Sequence, residues 1–478
     1  MLNRQQRDHT HERGAQRTPS PRTVLARLGL CAVVALAPLP FGSVQIGPIA
    51  VWTGLLGLVA IASIPEAPNA KDCIFAGLFA IVGLCWLVIV LAQSFPVSPW
   101  TSEFGHPVWA ETRKITGIEV PSYVSATRNQ PLFAAGAEIA CGLALLCGYF
   151  VGRESAAARL LIKTFAVSGL VYACYGILSL LIAPDYVLWL PKVAYDNLLT
   201  STFINANTAA VFFGSCSVVW LMILLEGLPR ASSPRGPRRN LSSRLLSRKS
   251  SLRALAFAVV LTATFLTGSR LGATASILAL GGASVTFYRR SLRTWRAAFA
   301  ALVILAVSAV VILQLLGGRV NQRVDATGLT DENRLQTYLG TWRMISEHPW
   351  LGTGSGTFRW TFPEYRSHAV SVAGIWDRAH STPLELAAEM GVPFACLIGM
   401  AWLLIFVFLA IGMFGRRRDR ILTIVPFWCS LIAFLHSLAD FSLQIPGFAV
   451  VILALAGMGL NQSSTRHHDA VDERKKRA

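Results

Sequence analysis

The stretch ALAFAVVLTATFLTGSRLGATASILALGGASVTF, residues 254 to 287, holds a single charged side chain, Arg270. On either side of it lies an apolar run, centred near residues 260 and 280, and each reads as a helix crossing a bilayer. An arginine between two such runs is expensive. It marks either a snorkelling anchor or a functional group.

Runs of the same kind recur outward from this pair, centred near residues 34, 56, 82, 142, 171, 216, 307, 396, 429 and 452, which makes about twelve in all. With 53% hydrophobic and 14% charged residues over 478 positions, the chain is excluded from the ordinary soluble globules. The expected fold class is all-α integral membrane: about twelve transmembrane helices with a large, partly helical loop between the ninth and tenth spans. Residues 1–27 read as a disordered basic arm, 28–461 as the polytopic membrane domain and 462–478 as a charged tail. An apolar first run followed by further spans argues against a cleaved signal peptide.

Positive charge orients the bundle, because cytoplasmic loops carry the excess of Lys and Arg. With the N-terminus inside, 31 of the 43 basic residues fall in inside segments, including the basic loop 227–253 and GRRRDR (415–420). Both termini are therefore expected in the cytoplasm. The net charge of +18 is absorbed by this topology and by anionic headgroups, and no nucleic-acid partner is expected. The nine cysteines lie in or beside apolar runs, so neither a disulfide framework nor a metal-ligand spacing is indicated.

Three outside loops exceed a turn: about 93–131, 183–206 and 317–382. The third carries seven arginines against the charge trend, as expected where an anionic ligand is held by guanidinium forks. Within it, TDENRLQTYLGTWRMISEHPW (330–350) spaces Leu335, Tyr338, Leu339, Trp342 and Ile345 for one helix face and predicts an amphipathic helix lying on the membrane surface. LGTGSGTF (351–358) then reads as a flexible glycine turn in preference to a phosphate cradle, since it lacks the P-loop lysine.

In RAHSTPLELAAEMG (378–391), Thr382, Pro383 and Glu385 form a capping-box pattern that predicts the start of the tenth span at about residue 383 and occupies Glu385 as a cap. His380 stands just outside that helix N-terminus, beside Arg378. Both disfavour imidazolium, which suits a general base, although a loop histidine is also ordinarily just solvated. In STFINANTAAVFFG (201–214), Asn205 reads as an N-cap and Asn207 is left open. In HSLADFSLQIPG (436–447), His436 and Asp440 read as a hydrogen-bonded pair or as part of an acceptor site. Glu138, inside the fourth span, is either a packing residue or part of a polar pathway. The tryptophans at 342, 350, 360 and 376 suit interfacial anchoring or stacking on sugars.

Four segments together resemble the O-antigen ligase and polymerase superfamily of bacterial membrane glycosyltransferases: FINANTAA, GSRLG, NRLQTYLGTWRMISEHPWLGTGSGTF and HSTPLELAAEMGVPF, in the family's order and over about a third of the chain. The resemblance implies a helical membrane protein of the bacterial inner membrane, with its active site on the periplasmic side. It implies transfer of a glycan from undecaprenyl pyrophosphate to a lipid or glycan acceptor, without metal or other cofactor. It also implies a functional set, matched here by Arg270 and Arg334 for pyrophosphate and His380 as base. Tyr338 stands where the family usually has Trp, and Ser381 where it often has Asn. Arg343, Arg378, Asn207, Tyr338 and Asp440 are supporting candidates. The acceptor stays open within the family: the lipid A core for a ligase, which is the preferred expectation, another lipid-linked repeat unit for a polymerase, or a serine or threonine side chain for a protein glycosyltransferase. A secondary transporter is the competing class, disfavoured because the ionisable residues gather at outside ends and in one asymmetric loop. A non-catalytic scaffold for polysaccharide assembly is a third class.

Overall fold

The computed structural model describes residues 20–99, 101–228, 247–289, 332–368, 370, 376–416 and 418–464. The described residues hold fifteen α-helices, three short 3-10 helices and one hairpin of two-residue strands, β1 (Tyr186–Val187) and β2 (Leu190–Pro191). The helices are α1 Pro21–Leu36, α2 Ile46–Ser63, α3 Ala70–Ser94, α4 Val108–Thr116, α5 Gln130–Val151, α6 Ser155–Ile182, α7 Ala206–Gly227 and α8 Arg248–Leu266. They continue as α9 Arg270–Tyr288, α10 Glu332–Glu347, α11 Phe358–Tyr365, α12 Thr382–Met390, α13 Val392–Gly415, α14 Ile421–Ser437 and α15 Pro446–Ser464. The protein is an all-α integral membrane protein. Nine helices among the described residues are long and apolar enough to cross a bilayer, while α1 and α14, at 16 and 17 residues, are shorter. Eleven of the twelve expected spans are seen as helices; the run near residue 307 lies outside the described residues. α1 begins at Pro21, capped by the Ser20 hydroxyl, within the segment expected as a disordered arm.

Among the described residues, helix α15 is the most enclosed of the nine long spans and α7 nearly as much so, with 78% and 72% of their apolar windows buried, against 6% for α3 and 11% for α13. The reason is residue size. A Cβ on Gly148 would stand 2.1 Å from the Ala454 carbonyl oxygen and one on Gly457 2.0 Å from that of Leu145, so α5 and α15 meet backbone to backbone. α3 and α13 instead present large apolar side chains outward, such as Ile81, Leu84, Leu403 and Phe414.

At one end of the bundle, α10, α11 and α12 form a cap with its own core of Met344, Ile345, Phe358, Phe362, Ala387 and Ala388. Here three expectations are corrected. The tenth span starts at Val392, not near 383, because the chain breaks at Gly391, where φ is +87° and a Cβ would lie 2.1 Å from the Trp350 carbonyl oxygen. The N-cap position of α12 is Ser381, with no side-chain cap bond, and Glu385 is not a capping-box partner. The apolar set of α10 is split. Ile345 packs inward with Thr337, Gly340, Thr341 and Met344, while Leu335, Leu339 and Trp342 stay exposed, because small and hydroxyl-bearing residues allow the closer approach.

Candidate functional site

The site builds on the capped start of α7. Asn205 accepts the Asn207 amide at 2.7 Å, as its N-cap reading requires, and this aims the Asn207 side chain across the bundle. Its Nδ2 donates to Asp440 Oδ2 at 2.7 Å. From the cap, Arg334 on α10 donates Nη1 to the Ala439 carbonyl at 3.0 Å and stands with Nη2 3.5 Å from the same Asp440 Oδ2. Asp440 is buried, so its charge is held by an ion pair, the Asn207 amide and the Phe441 N–H at 2.7 Å.

His380 meets the same loop. Its ring meets Phe441 edge-on, with centroids 5.2 Å apart, and Trp376 at 5.8 Å. Its backbone takes φ +55°, and its carbonyl accepts the Tyr338 hydroxyl at 3.0 Å. Thr382 closes the circuit by donating to the Asp440 carbonyl at 3.3 Å. Residues from α7, α10, the loop before α12 and the loop after α14 therefore converge on Asp440 and Phe441.

Arg270 is the first residue of α9. The turn before it carries Gly268 at φ +66° and the Ser269 hydroxyl on the Gly272 amide, so the chain reverses immediately between α8 and α9. Arg343 stays exposed on α10, off the buried face. Arg378 pairs with Glu385 at 3.0 Å. The expected His436–Asp440 hydrogen-bonded pair is not formed: His436 Nδ1 lies 3.1 Å from the Ser442 hydroxyl, which in turn meets Thr208 at 3.2 Å. Asp440 turns instead to the arginine and the amide.

The turn 351–358 is neither flexible nor a phosphate cradle, because its amides are already engaged. Gly354 N–H donates to the Glu389 carbonyl and Ser355 N–H to Gln93 Oε1, while Gly356 and Phe358 donate to the two oxygens of the Glu389 carboxyl at 2.9 and 2.8 Å. Burial, and then the Glu385 charge one turn away, push the Glu389 carboxyl up to about 8. Glu138 joins the same assembly, accepting from the Ser355 hydroxyl at 2.6 Å and from the Trp86 indole. It is a tie between span and cap. Gln93 and Glu389 escaped the sequence reading; the signal was a polar side chain inside an apolar helix, which a membrane protein keeps only where it is bonded.

Beside this assembly a cleft of 2440 Å³ runs the height of the bundle between α3, α5 and α13, from Arg359, Trp360 and Arg378 at the cap end to Lys71 and Arg416 at the other. Its walls are mainly apolar. Thr382 lines it, whereas His380, Arg334, Arg270 and Asp440 do not. The cleft and the Asp440 cluster thus share a wall at Thr382. Among the described residues no three His, Cys, Asp or Glu side chains gather as a ligand set.

Fold and site together define a polytopic membrane protein with an arginine- and histidine-bearing polar cluster under a helical cap. Residues 255–399, from α8 to the first turns of α13, match the family model described as O-antigen ligase. This match bears out the resemblance to the O-antigen ligase and polymerase superfamily and with it an enzyme of glycosyltransferase type. No curated protein matches the chain.

Proposed function

We propose that the protein is an inverting glycosyltransferase of the bacterial inner membrane. It moves a glycan from undecaprenyl pyrophosphate to an acceptor on the periplasmic side, with the lipid A core as acceptor and both termini in the cytoplasm. Arg270 and Arg334 bind the pyrophosphate and neutralise the charge that grows as the bond between the anomeric carbon and the phosphate oxygen breaks. His380 takes the proton of the acceptor hydroxyl, which attacks the anomeric carbon from the face opposite the leaving group. Undecaprenyl pyrophosphate departs with the bonding electron pair. The mainly apolar cleft, which meets the Asp440 cluster at Thr382, suits the hydrocarbon of a lipid substrate.

The observation that carries this reading is the meeting of Arg334 and the His380 loop on one short segment, Ala439 to Phe441. The test is complementation of a deletion strain with wild type and His380→Ala, reading surface glycan and lipid-linked intermediates. Loss of lipid A-linked glycan with long lipid-linked polymer accumulating is the expected result. Accumulation of single repeat units would make the enzyme a polymerase, and full activity of His380→Ala would remove the mechanism.

A further inference from the structure

Helix α12 is nine residues long and begins two residues after His380, with Ser381 at its N-cap position. A glutamate in the first turn of a helix ordinarily bonds the amides at the helix start. Glu385 does otherwise. Its Oε2 accepts the Ala379 N–H at 2.7 Å and its Oε1 accepts Arg378 Nη1 at 3.0 Å, so the carboxylate reaches out of the helix and grips the two residues before His380. Its own N–H bonds the Ser381 carbonyl. Glu385 is 1% exposed, and a buried carboxylate is kept only where its partners hold it well.

The segment gripped is one that needs holding. His380 has φ +55°, a conformation that residues with a Cβ rarely adopt, and Ser381 returns at once to extended backbone with φ −154°. Such a geometry persists only where the surroundings over-determine it. The surroundings here are Glu385 on the Ala379 amide before the histidine, the Tyr338 hydroxyl on its carbonyl, and Trp376 and Phe441 against its ring. Of these, Glu385 acts from the helix that His380 introduces, so its carboxylate couples α12 to the segment that carries the ring.

We propose that Glu385 is a positioning residue for His380, holding the Ala379 amide and the Arg378 guanidinium so that the imidazole stays at the rim of the Asp440 cluster. The proposal rests on His380 being the base of the transfer. Glu385 also lines the cleft at its cap end, yet it acts on the transfer through the histidine. Its loss displaces the base and leaves Arg270 and Arg334 where they are, so the effect falls on turnover more than on donor binding.

The experiment uses the purified full-length protein in lipid nanodiscs, with a lipid-linked glycan donor and its acceptor, comparing wild type, Glu385→Ala, Glu385→Gln, Arg378→Met and His380→Ala. Glu385→Ala is expected to lower kcat about a hundredfold, the scale of a small misplacement of a catalytic group, with a much smaller change in donor KM. Glu385→Gln keeps one oxygen for the Ala379 amide and recovers part of kcat, and it carries the test if the alanine variant fails to fold. Arg378→Met leaves the Ala379 bond intact and loses less than Glu385→Ala. Full activity of the Glu385 variants beside an inactive His380→Ala would overturn the positioning role alone. A lowered thermal midpoint with unchanged kcat in both Glu385 variants would make the residue merely structural and also overturn it. An active His380→Ala would instead overturn the function on which the proposal stands.

Discussion

Arg334 and Asp440 form an ion pair across 3.5 Å between the cap and the loop after α14, and the Arg334 guanidinium also holds the carbonyl of Ala439. The arginine therefore arrives at the site with its orientation set. Two donors share Asp440 Oδ2, the other being Asn207. Changing Asp440 to Asn keeps the shape and removes the charge that turns the guanidinium. Because hydrogen bonds to charged groups contribute about 1.5–3 kcal/mol, transfer is expected to fall roughly 10- to 100-fold. The check is in vitro transfer with a lipid-linked donor; wild-type rates in Asp440→Asn would leave the pair without a role.

Gly391 separates α12 from α13 with φ +87° and with the Trp350 carbonyl against it. Gly391→Ala is expected to cost more than about 2 kcal/mol, from backbone strain and the clash together. Gly47, where an added Cβ would meet nothing within 4 Å, serves as the control. Thermal unfolding in detergent distinguishes them: a midpoint for Gly391→Ala equal to that of Gly47→Ala would contradict the geometry.

The buried Glu389 carboxyl, at about 8, holds its proton where the unfolded chain has lost it. Its contribution to stability is complete below the ordinary glutamate value, declines as pH rises toward 8, and changes no further above that. Glu389→Gln cannot ionise. Whatever its offset at pH 4, its thermal midpoint should gain on the wild type as pH rises from about 4.3 to 8 and then run parallel. Parallel curves throughout would mean that the carboxyl is not displaced.

His106, in the loop before α4, stacks on His348 at the end of α10, with ring centroids 4.9 Å apart, and is pushed down to about 4 by burial and then by its neighbour. A lowered histidine means that the unfolded chain binds the proton first, so stability is full above the ordinary histidine range and drains as pH falls from about 6.5 to 4. His106→Phe retains a flat ring without the proton. It should flatten the acid limb of the thermal midpoint, and an unchanged limb would assign the loss to other groups.

Much of the candidate site was legible because its residue types are out of place locally. Asn205 caps α7 as its position before an apolar run requires; Asn207, His380 and Asp440, read from the residues, and Arg334 and Tyr338, brought in by the family resemblance, lie around one loop. What failed were the partnerships. Glu385 matched a capping box yet bonds Ala379 and Arg378, and His436 chose Ser442 over Asp440, because a side chain's partner depends on which remote backbone is folded against it. The glycine turn read as flexible because the groups that pin it, Gln93 and Glu389, lie 262 and 33 residues away from the amides they accept.

Taken alone, the sequence determined the membrane-spanning class and the position of most spans, since crossing a bilayer depends on the length of a continuous apolar run and on satisfying the backbone within each helix. It also determined which polar residues are too costly to be there by chance. The tertiary structure alone decided that Asn207 meets Asp440 across 233 residues of chain, that α12 is a separate helix, and that Glu385 grips the approach to His380. Those outcomes follow from close packing of distant elements, where a glycine or a carboxylate acts only through the neighbour that folding brings to it.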